Sequence, residues 1–227
     1  MTCSHHLAYH HAVSENGRKR IVVSGIGVVS PNGVGADAFT QACIEGKSGI
    51  RRISGFDISA LKSNAAAQIL DFDPLSVMEL AEARRVPRMV HLALAASREA
   101  LASAKLSVDP QNIKLQRKIG VVLGTGGGGM AFLEEQYRNM FAGGQASLYS
   151  ITAGTHGNLS SELSIALHLR GPSHVISTGC TSSTDAIGYA MMLIRGGVVP
   201  MVLVGGADAP IAPGILSGFE KMRVVST

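Results

Sequence analysis

The chain has 227 residues, and with 46% apolar and only 16% charged side chains it has enough material for a globular core. Its formal net charge is +4, and its short basic clusters carry no interleaved aromatic side chains for base stacking, which argues against nucleic-acid binding. The 27 glycines and 4% aromatic residues indicate close packing of small side chains, with more apolar surface than a monomer usually buries. We therefore expect an oligomer or a missing partner segment.

Residues 1–18 form a leader that contains four histidines, His5, His6, His10 and His11. The leader has no apolar stretch of the kind a signal peptide needs, and no later run is long and apolar enough to span a bilayer. We expect a disordered or tag-like leader, although the histidines could also capture a metal ion, followed by one domain over residues 19–227.

Strands and helices alternate along this domain. The β-branched run at 20–29 (RIVVSGIGVV) predicts a buried strand that ends in a turn at 30–33. Further strands are predicted at 119–123, 174–177 and 201–204. Helices are predicted at 36–45, 89–106, 131–141, 159–169 and 182–195, with an irregular stretch between 46 and 74. Such alternation, with nearly continuous apolar strands, predicts an α/β sheet that is buried on both faces.

A glycine run at 124–129 lies between a predicted strand and a predicted helix. It formally satisfies the dinucleotide pattern GxGxxG through Gly124, Gly126 and Gly129. Five glycines in six positions match many patterns by chance, and no strand with a terminal acidic residue follows at the expected distance. This argues against a nucleotide site, and the absence of GxxxxGK[ST] and GxSxG removes the main support for a phosphate-loop NTPase or an α/β-hydrolase.

The three cysteines, Cys3, Cys43 and Cys180, form neither a disulfide framework nor a CxxC pair, which favours a reducing cytoplasm. Cys180 stands between an apolar strand and the first turn of a helix. There the helix dipole and free amides favour a thiolate, and the same amides can stabilise an oxyanion. On these residues alone an inert buried cysteine explains Cys180 equally well, and we interpret Cys43 that way.

A nucleophilic cysteine needs a base or a proton shuttle. The histidines nearest to Cys180 in the sequence are His156, His168 and His174. None has a spacing typical of a catalytic pair, so we interpret each as a hydrogen-bonded histidine in or beside the core.

The segments RGPS at 170–173 and TGCTSS at 178–183 resemble the active-site signature of the β-ketoacyl-acyl-carrier-protein synthases. The segments RIVVSGIGVVSPNG, GKSGI, GTGGGGM and VLVGGAD resemble the family's first strand and turn, glycine-rich loop and following strand. The resemblance covers residues 19–227. It implies a thiolase-like α/β fold of five layers in the complete enzyme, of which this chain supplies the N-terminal half, and a homodimer.

The resemblance also implies the chemistry. The thiol of Cys180 would accept an acyl group from an acyl carrier protein, and the carbanion formed by decarboxylation of malonyl-carrier protein would then attack it, in fatty-acid or polyketide synthesis. No cofactor is implied. Three residues would bind the substrate: Gly127, Gly128 and Phe219. Gly127 stands where elongating members of the family commonly carry a bulky residue that gates the acyl pocket. The missing side chain would either leave this gate open or only make the loop more flexible.

Three arginines, Arg84, Arg85 and Arg223, align with positions that contact the acidic carrier protein in the family. Without the resemblance, the basic clusters are interpreted as solvated helix ends and turns.

The family's two catalytic histidines, its lysine and its second oxyanion segment have no match here, since neither HGTxT nor GFGGTN occurs. We therefore expect that this chain alone cannot carry out the condensation. The alternative is a non-catalytic half-enzyme subunit or a truncated assembly partner. The presence of Cys180 argues against a chain-length factor, which lacks this cysteine, and a thiolase has its nucleophile in a different local sequence.

Overall fold

The computed structural model describes residues 19–226, so the predicted leader at 1–18 lies outside the described residues, and the domain boundary at residue 19 stays a prediction. The strands are β1 (Val29–Ser30), β2 (Gly33–Val34), β3 (Arg51–Arg52), β4 (Ala65–Ala66), β5 (Ile119–Gly124), β6 (Ser173–Ile176) and β7 (Met201–Gly206). The helices are α1 (Ala36–Ile44), α2 (Leu80–Ala83), α3 (Arg88–Ser103), α4 (Ile113–Gln116), α5 (Met130–Phe141), α6 (Ser150–Gly154), α7 (Asn158–Ala166), α8 (Ser182–Arg195) and α9 (Pro213–Lys221). Short 3-10 turns occupy Pro74–Ser76 and Gly179–Thr181.

The core is built on a parallel three-stranded sheet in the order β6-β5-β7. In its centre, Val122 of β5 is aligned with His174 of β6 and with Val204 of β7. Every residue of β5 is buried, which is typical of an apolar parallel strand that is covered on both faces. The predicted α/β sheet is confirmed.

Helices cover both faces of this sheet, because successive side chains of a strand point to opposite sides. Ile119, Val121 and Leu123 of β5 belong to a core cluster with α3 and α7. Val122 points the other way and packs against Ala186 of α8. The described residues therefore form three layers, with α3 and α7 on one side of the sheet and α8 on the other.

The five helices predicted from the sequence are present as α1, α3, α5, α7 and α8. α3 begins directly after Pro87, and its carboxylate Glu99 accepts hydrogen bonds from the amides of Val28 (2.8 Å) and Ala36 (2.6 Å). Ala36 is the first residue of α1, so Glu99 caps that helix and fixes it to α3. Among residues 19–226, no helix has the length and apolarity required to cross a membrane.

The strand predicted at 20–29 is wrong for most of its length. Only Val29–Ser30 pairs, antiparallel to Gly33–Val34, while residues 20–28 belong to no strand. This segment runs along α3, where a Cβ atom on Gly25 would lie 2.2 Å from the carbonyl oxygen of Ala100, and Val23 is 81% exposed. β-branched residues favour an extended backbone but do not supply a neighbouring strand.

Candidate active site

Three loops leave the same edge of the sheet, because β5, β6 and β7 are parallel. The glycine loop, which we define as residues 124–129, follows β5. The cysteine turn, which we define as Thr178–Thr181, follows β6, and Asp208 follows β7. The carboxyl edge of a parallel sheet is where α/β proteins bind their ligands. The sequence places its glycine run and Cys180 at that edge.

The cysteine turn presents Cys180 directly before α8. Gly179 has a φ of 69°, a left-handed conformation that favours glycine. The buried hydroxyl of Ser182 accepts a hydrogen bond from the amide of Thr178 (3.0 Å) and donates one to the carbonyl of Gly179 (2.6 Å). Cys180 itself is a free, exposed thiol. The backbone around the cysteine is therefore fixed while the thiol is accessible, and the expectation of an inert buried cysteine does not hold.

Cys180 lies at the positive end of α8. This end of the helix approaches the edge of the sheet very closely. A Cβ atom on Gly124 would lie 2.3 Å from the carbonyl carbon of Ser182, so no other residue fits at this position. The first turn of a helix carries unpaired N–H groups and a partial positive charge. Both can stabilise an oxyanion that forms next to Cys180.

Asp208 holds the glycine loop. Its Oδ1 accepts hydrogen bonds from the hydroxyl of Thr125 (2.9 Å) and the amide of Gly127 (2.8 Å), and its Oδ2 accepts one from the amide of Gly126 (3.0 Å). A dinucleotide phosphate would need such loop amides as donors. Because an internal carboxylate already occupies two of them, the geometry argues further against a nucleotide site.

The glycine loop also contacts the cysteine turn. A Cβ atom on Gly126 would lie 3.2 Å from the carbonyl oxygen of Gly179. At the other end of the loop, Gly128 lies against the ring of His156, with 3.0 Å between a built Cβ atom and the Cγ atom of the ring. Asp208 thus fixes a loop that packs directly on the residue before Cys180.

A second carboxylate, Asp185, lies in the first turn of α8. Its Oδ2 accepts hydrogen bonds from the hydroxyls of Thr178 (2.5 Å) and Thr181 (3.0 Å), the two ends of the cysteine turn. These hydrogen bonds, that of Thr178 first, lower the pKa of Asp185 below its usual value, so the carboxylate is ionised at neutral pH.

A cavity of about 510 Å³ lies beside the glycine loop. Its lining is mixed: Phe56, Met89, Phe132 and Ile211 are apolar, whereas Arg88, Glu134, Glu135, Arg138 and Asn139 are charged or polar. Of the predicted substrate-binding residues, Gly128 lines this cavity, and Gly127 is the residue before Gly128 in the glycine loop. Phe219 lies on α9, is 37% exposed and does not line the cavity. The roles of all three residues stay predictions.

The three predicted carrier-protein contacts differ in their surroundings. Arg84 and Arg223 are exposed. Arg85 is paired with the carboxylates of Glu82 (3.8 Å) and Glu162 (3.6 Å) and is partly buried. Its guanidinium is thus already engaged within the chain, and the contact role of all three arginines stays a prediction.

The three histidines considered as bases do not meet Cys180. His174 makes an edge contact with the ring of Tyr189, at 5.6 Å between ring centres, and His168 is exposed after α7. Neither these residues nor His156 forms a hydrogen bond to Cys180 within residues 19–226. In the same part of the chain, no group of three or more His, Cys, Asp or Glu residues is placed to hold a metal ion.

Three residues of this site were not predicted from the sequence: Asp185, Asp208 and Ser182. A signal existed for Asp208, because VLVGGAD places an acid directly after a strand, at the edge where the parallel strands end. For Asp185 the signal was its position five residues after Cys180, in the first helical turn.

A family model described as "Beta-ketoacyl synthase, N-terminal domain" matches residues 18–227. The chain is 32% identical over 212 residues to the 3-oxoacyl-acyl-carrier-protein synthase 2 of Coxiella burnetii, covering 92% of this chain and 50% of that protein. It is 34% identical over 223 residues to the tetracenomycin polyketide synthase ketoacyl synthase alpha subunit of Streptomyces glaucescens, covering 94% of this chain and 51% of that protein. The chain thus spans about half the length of these curated relatives.

Solved structures show the same relationship. The ishigamide ketosynthase/chain length factor matches with a TM-score of 0.80 and 28% identity, over 92% of this chain and 52% of that chain. A β-ketoacyl synthase from Burkholderia phymatum matches with a TM-score of 0.76 and 25% identity, over 92% of this chain and 51% of that chain. These matches confirm the predicted thiolase-like fold and the resemblance from which it was inferred. The chain therefore belongs to the β-ketoacyl synthase family, whose N-terminal domain it matches.

Proposed function

We propose that this chain is the nucleophile-bearing half of a 3-oxoacyl-acyl-carrier-protein synthase, an acyltransferase of fatty-acid or polyketide synthesis. The observation that carries the proposal is the position of Cys180, an exposed thiol in a fixed turn at the N-terminus of α8, in a chain of this family. The names of the relatives support an acyl carrier protein as the partner that delivers the acyl group.

The chemistry has two steps. In the first, the thiolate of Cys180 attacks the carbonyl carbon of an acyl thioester, and the amide of Cys180 donates to the oxyanion that forms. The intermediate collapses, the carrier thiol leaves with a proton, and the acyl group remains on Cys180. In the second, malonyl-carrier protein loses carbon dioxide, and its carbanion attacks the acyl thioester and expels the thiolate. The product is a β-ketoacyl chain on the carrier.

The chain should perform only the first step by itself. The relatives are about twice as long, and the catalytic histidines expected for the second step have no match in the sequence. We therefore propose that condensation requires a second segment that carries HGTxT and GFGGTN. The alternative is a non-catalytic half-enzyme subunit. The accessible thiol of Cys180 argues against this alternative.

The cavity beside the glycine loop is the candidate site for the acyl chain, because Phe56, Met89 and Phe132 give part of its mixed lining an apolar surface. Gly127 brings no side chain to the glycine loop beside this cavity, which in our proposal either opens the gate for the acyl chain or only loosens the loop. Arg84 and Arg223, which are exposed, support a surface for an acidic carrier protein, whereas Arg85 contributes less because Glu82 and Glu162 already bind it.

We further propose a homodimer in the cytoplasm. Large apolar side chains, including those of Phe141, Leu148 and Ile151, are exposed on one stretch of the chain. In the part that the structure describes, the outer edge of β6 has no neighbouring strand, and such an edge is open to pairing. The free thiols of Cys43 and Cys180 support a reducing compartment.

Mass spectrometry of the purified chain tests the proposed function. Incubation with acyl-carrier protein should add one acyl group, mapped to Cys180, and Cys180→Ser should abolish it while Cys43→Ser should not. Subsequent malonyl-carrier protein should give no β-ketoacyl product unless the second segment is supplied. An unmodified Cys180 would refute the acyl-acceptor role, and robust elongation by the chain alone would refute the division of labour.

A further inference from the structure

Asp185 directs its carboxylate out of its own helix and onto the cysteine turn. A single oxygen, Oδ2, accepts from the hydroxyls of Thr178 (2.5 Å) and Thr181 (3.0 Å). The Thr181 hydroxyl also lies 3.1 Å from the carbonyl oxygen of Thr178. One carboxylate oxygen therefore joins the residue that begins the turn to the residue that ends it, with Cys180 between them.

Ser182 complements this contact from the backbone side. Its hydroxyl links the amide of Thr178 to the carbonyl of Gly179, at 3.0 Å and 2.6 Å. Side chains thus hold Thr178, Gly179 and Thr181, whereas the thiol of Cys180 forms no hydrogen bond to any residue between 19 and 226. Hydrogen bonds therefore hold the residues on either side of Cys180, and its thiol is free to react.

Favourable interaction with the helix dipole is the simpler explanation for an acid in the first turn of α8. It explains the presence of a negative charge but not the contacts that Asp185 makes. Asp37 stands in the first turn of α1 in the same helical context, and its carboxylate forms no hydrogen bond or ion pair with any residue between 19 and 226. Asp185 differs because hydroxyls from outside α8 engage its carboxylate.

We propose that Asp185 is a positioning residue for Cys180, which keeps the thiol in line with the N-terminus of α8 by clamping Thr178 to Thr181. This inference rests on the proposed role of Cys180 as the acyl acceptor. A helix N-terminus stabilises a thiolate only when the sulfur is held close to the free N–H groups of the first turn. Because Gly179 makes the turn intrinsically permissive, the contacts of Asp185 add to those of Ser182 in holding it.

The negative charge of Asp185 and its positioning role have opposite effects on the ionisation of the Cys180 thiol, so an experiment can distinguish them. A nearby carboxylate, acting by charge alone, disfavours the thiolate, so its removal should make the thiol ionise at lower pH. A carboxylate that positions the thiol has the reverse effect, because its removal takes the sulfur away from the helix N-terminus.

The test measures the rate of iodoacetamide alkylation against pH, resolved by peptide mass for Cys180 and Cys43 in the same full chain. In Asp185→Ala, we expect the pH midpoint of Cys180 alkylation to rise by about one unit, with a fall of about tenfold in rate at pH 7. In Asp185→Asn, whose amide oxygen can still accept from both hydroxyls, the rate should stay within about twofold of the wild type. Thr178→Val with Thr181→Val should reproduce Asp185→Ala while the charge is retained.

Matched controls separate the possible failures. Asp37→Ala removes the corresponding acid of α1 and should change neither cysteine, and circular dichroism checks that each variant is folded. A lower midpoint in both Asp185 variants would show an effect of charge alone and overturn the inference. If the pH midpoint of Cys180 alkylation is unchanged and the melting temperature is lower, Asp185 only stabilises the helix, and the inference is overturned as well. Failure of the proposed function looks different, because wild-type Cys180 would then behave like Cys43.

Discussion

The amide of Gly127 donates a hydrogen bond of 2.8 Å to the carboxylate of Asp208, which joins the loop after β5 to the end of β7. The same carboxylate accepts from Thr125 and Gly126, so it is the common acceptor for three donors of the glycine loop. The loop in turn packs on Gly179, next to Cys180. The conformation of the glycine loop therefore depends on one carboxylate.

Replacement of Asp208 by Ala should destabilise the chain by about 0.5–1.5 kcal/mol, because it removes the common acceptor of the loop at an exposed position where water can replace part of it. Asp208→Asn retains one acceptor oxygen and should cost less. Urea denaturation gives the free energy of unfolding of each variant, with Asp37→Ala as the surface control. Equal stability of Asp208→Ala and the wild type would show that water replaces the carboxylate at no cost.

Gly124→Ala should displace α8, because the new Cβ atom would lie 2.3 Å from the carbonyl carbon of Ser182. We expect a loss of about 1–3 kcal/mol in stability, as for other overpacked sites, together with slower alkylation of Cys180. Gly188→Ala is the matched control, since Gly188 lies in α8 with nothing within 4 Å of its built Cβ atom. That change should stabilise the helix by about 0.5–1 kcal/mol. Similar behaviour of the two variants would contradict the close approach at Gly124.

Gly127→Ile should restrict the acyl groups that Cys180 accepts. A Cβ atom at this position would lie 3.4 Å from Asp208 and 3.8 Å from Met130, which is ordinary van der Waals contact for the first added atom. Circular dichroism checks that the isoleucine variant is folded. If Gly127 is the gate, the added side chain would narrow the path of the acyl chain. Loading from a long acyl thioester should fall about tenfold or more relative to acetyl, measured by intact mass. An unchanged ratio of the two loading rates would rule out Gly127 as the gate.

Stability should decrease in weakly acidic solution because of His91, which is only 7% exposed. Its Nε2 lies 3.0 Å from the carbonyl oxygen of Ala83, which assigns the proton to Nε2, while Nδ1 is buried and has no hydrogen-bond partner among residues 19–226. Burial lowers the pKa of His91, so the folded chain keeps the neutral ring. The unfolded chain binds a proton near pH 6.5. The free energy of unfolding should therefore be constant above about pH 6.5 and fall as the pH decreases from there toward the lowered pKa.

His91→Gln removes this titration and should flatten the pH dependence between about 6.5 and 5. His168→Gln, at an exposed position, is the control and should leave the slope unchanged. A slope that persists in His91→Gln would assign the pH dependence to other groups.

Local patterns in the sequence were sufficient for the elements that build the sheet. β5 and β7 are short apolar runs that end in glycine, and α3 and α8 have long helical periodicity, so the predicted positions are close to the observed ones. The location of Cys180 between β6 and α8 followed from the same patterns. These features depend on neighbours in the sequence, which is why they could be predicted.

Features that depend on distant partners could not be predicted in the same way. Asp208 binds Thr125 across 83 residues, and only the parallel order of β5 and β7 brings the two together. α9 contains Gly214 and Gly218, which weaken helix propensity. Its N-terminus is stabilised by Glu134 of α5, whose carboxylate accepts from the amide of Gly214 at 2.8 Å.

The fold should activate Cys180 as a nucleophile, and site-resolved labelling of the cysteines measures this activation. The folded chain is treated with an alkyl haloketone that mimics an acyl group, and the labelling rates of Cys180 and Cys43, both exposed thiols, are compared by peptide mass. The comparison is repeated in urea, where the fold no longer contributes. We expect Cys180 to react at least about tenfold faster than Cys43 in the folded chain, and equally fast after unfolding. Equal rates in the folded chain would contradict the claim.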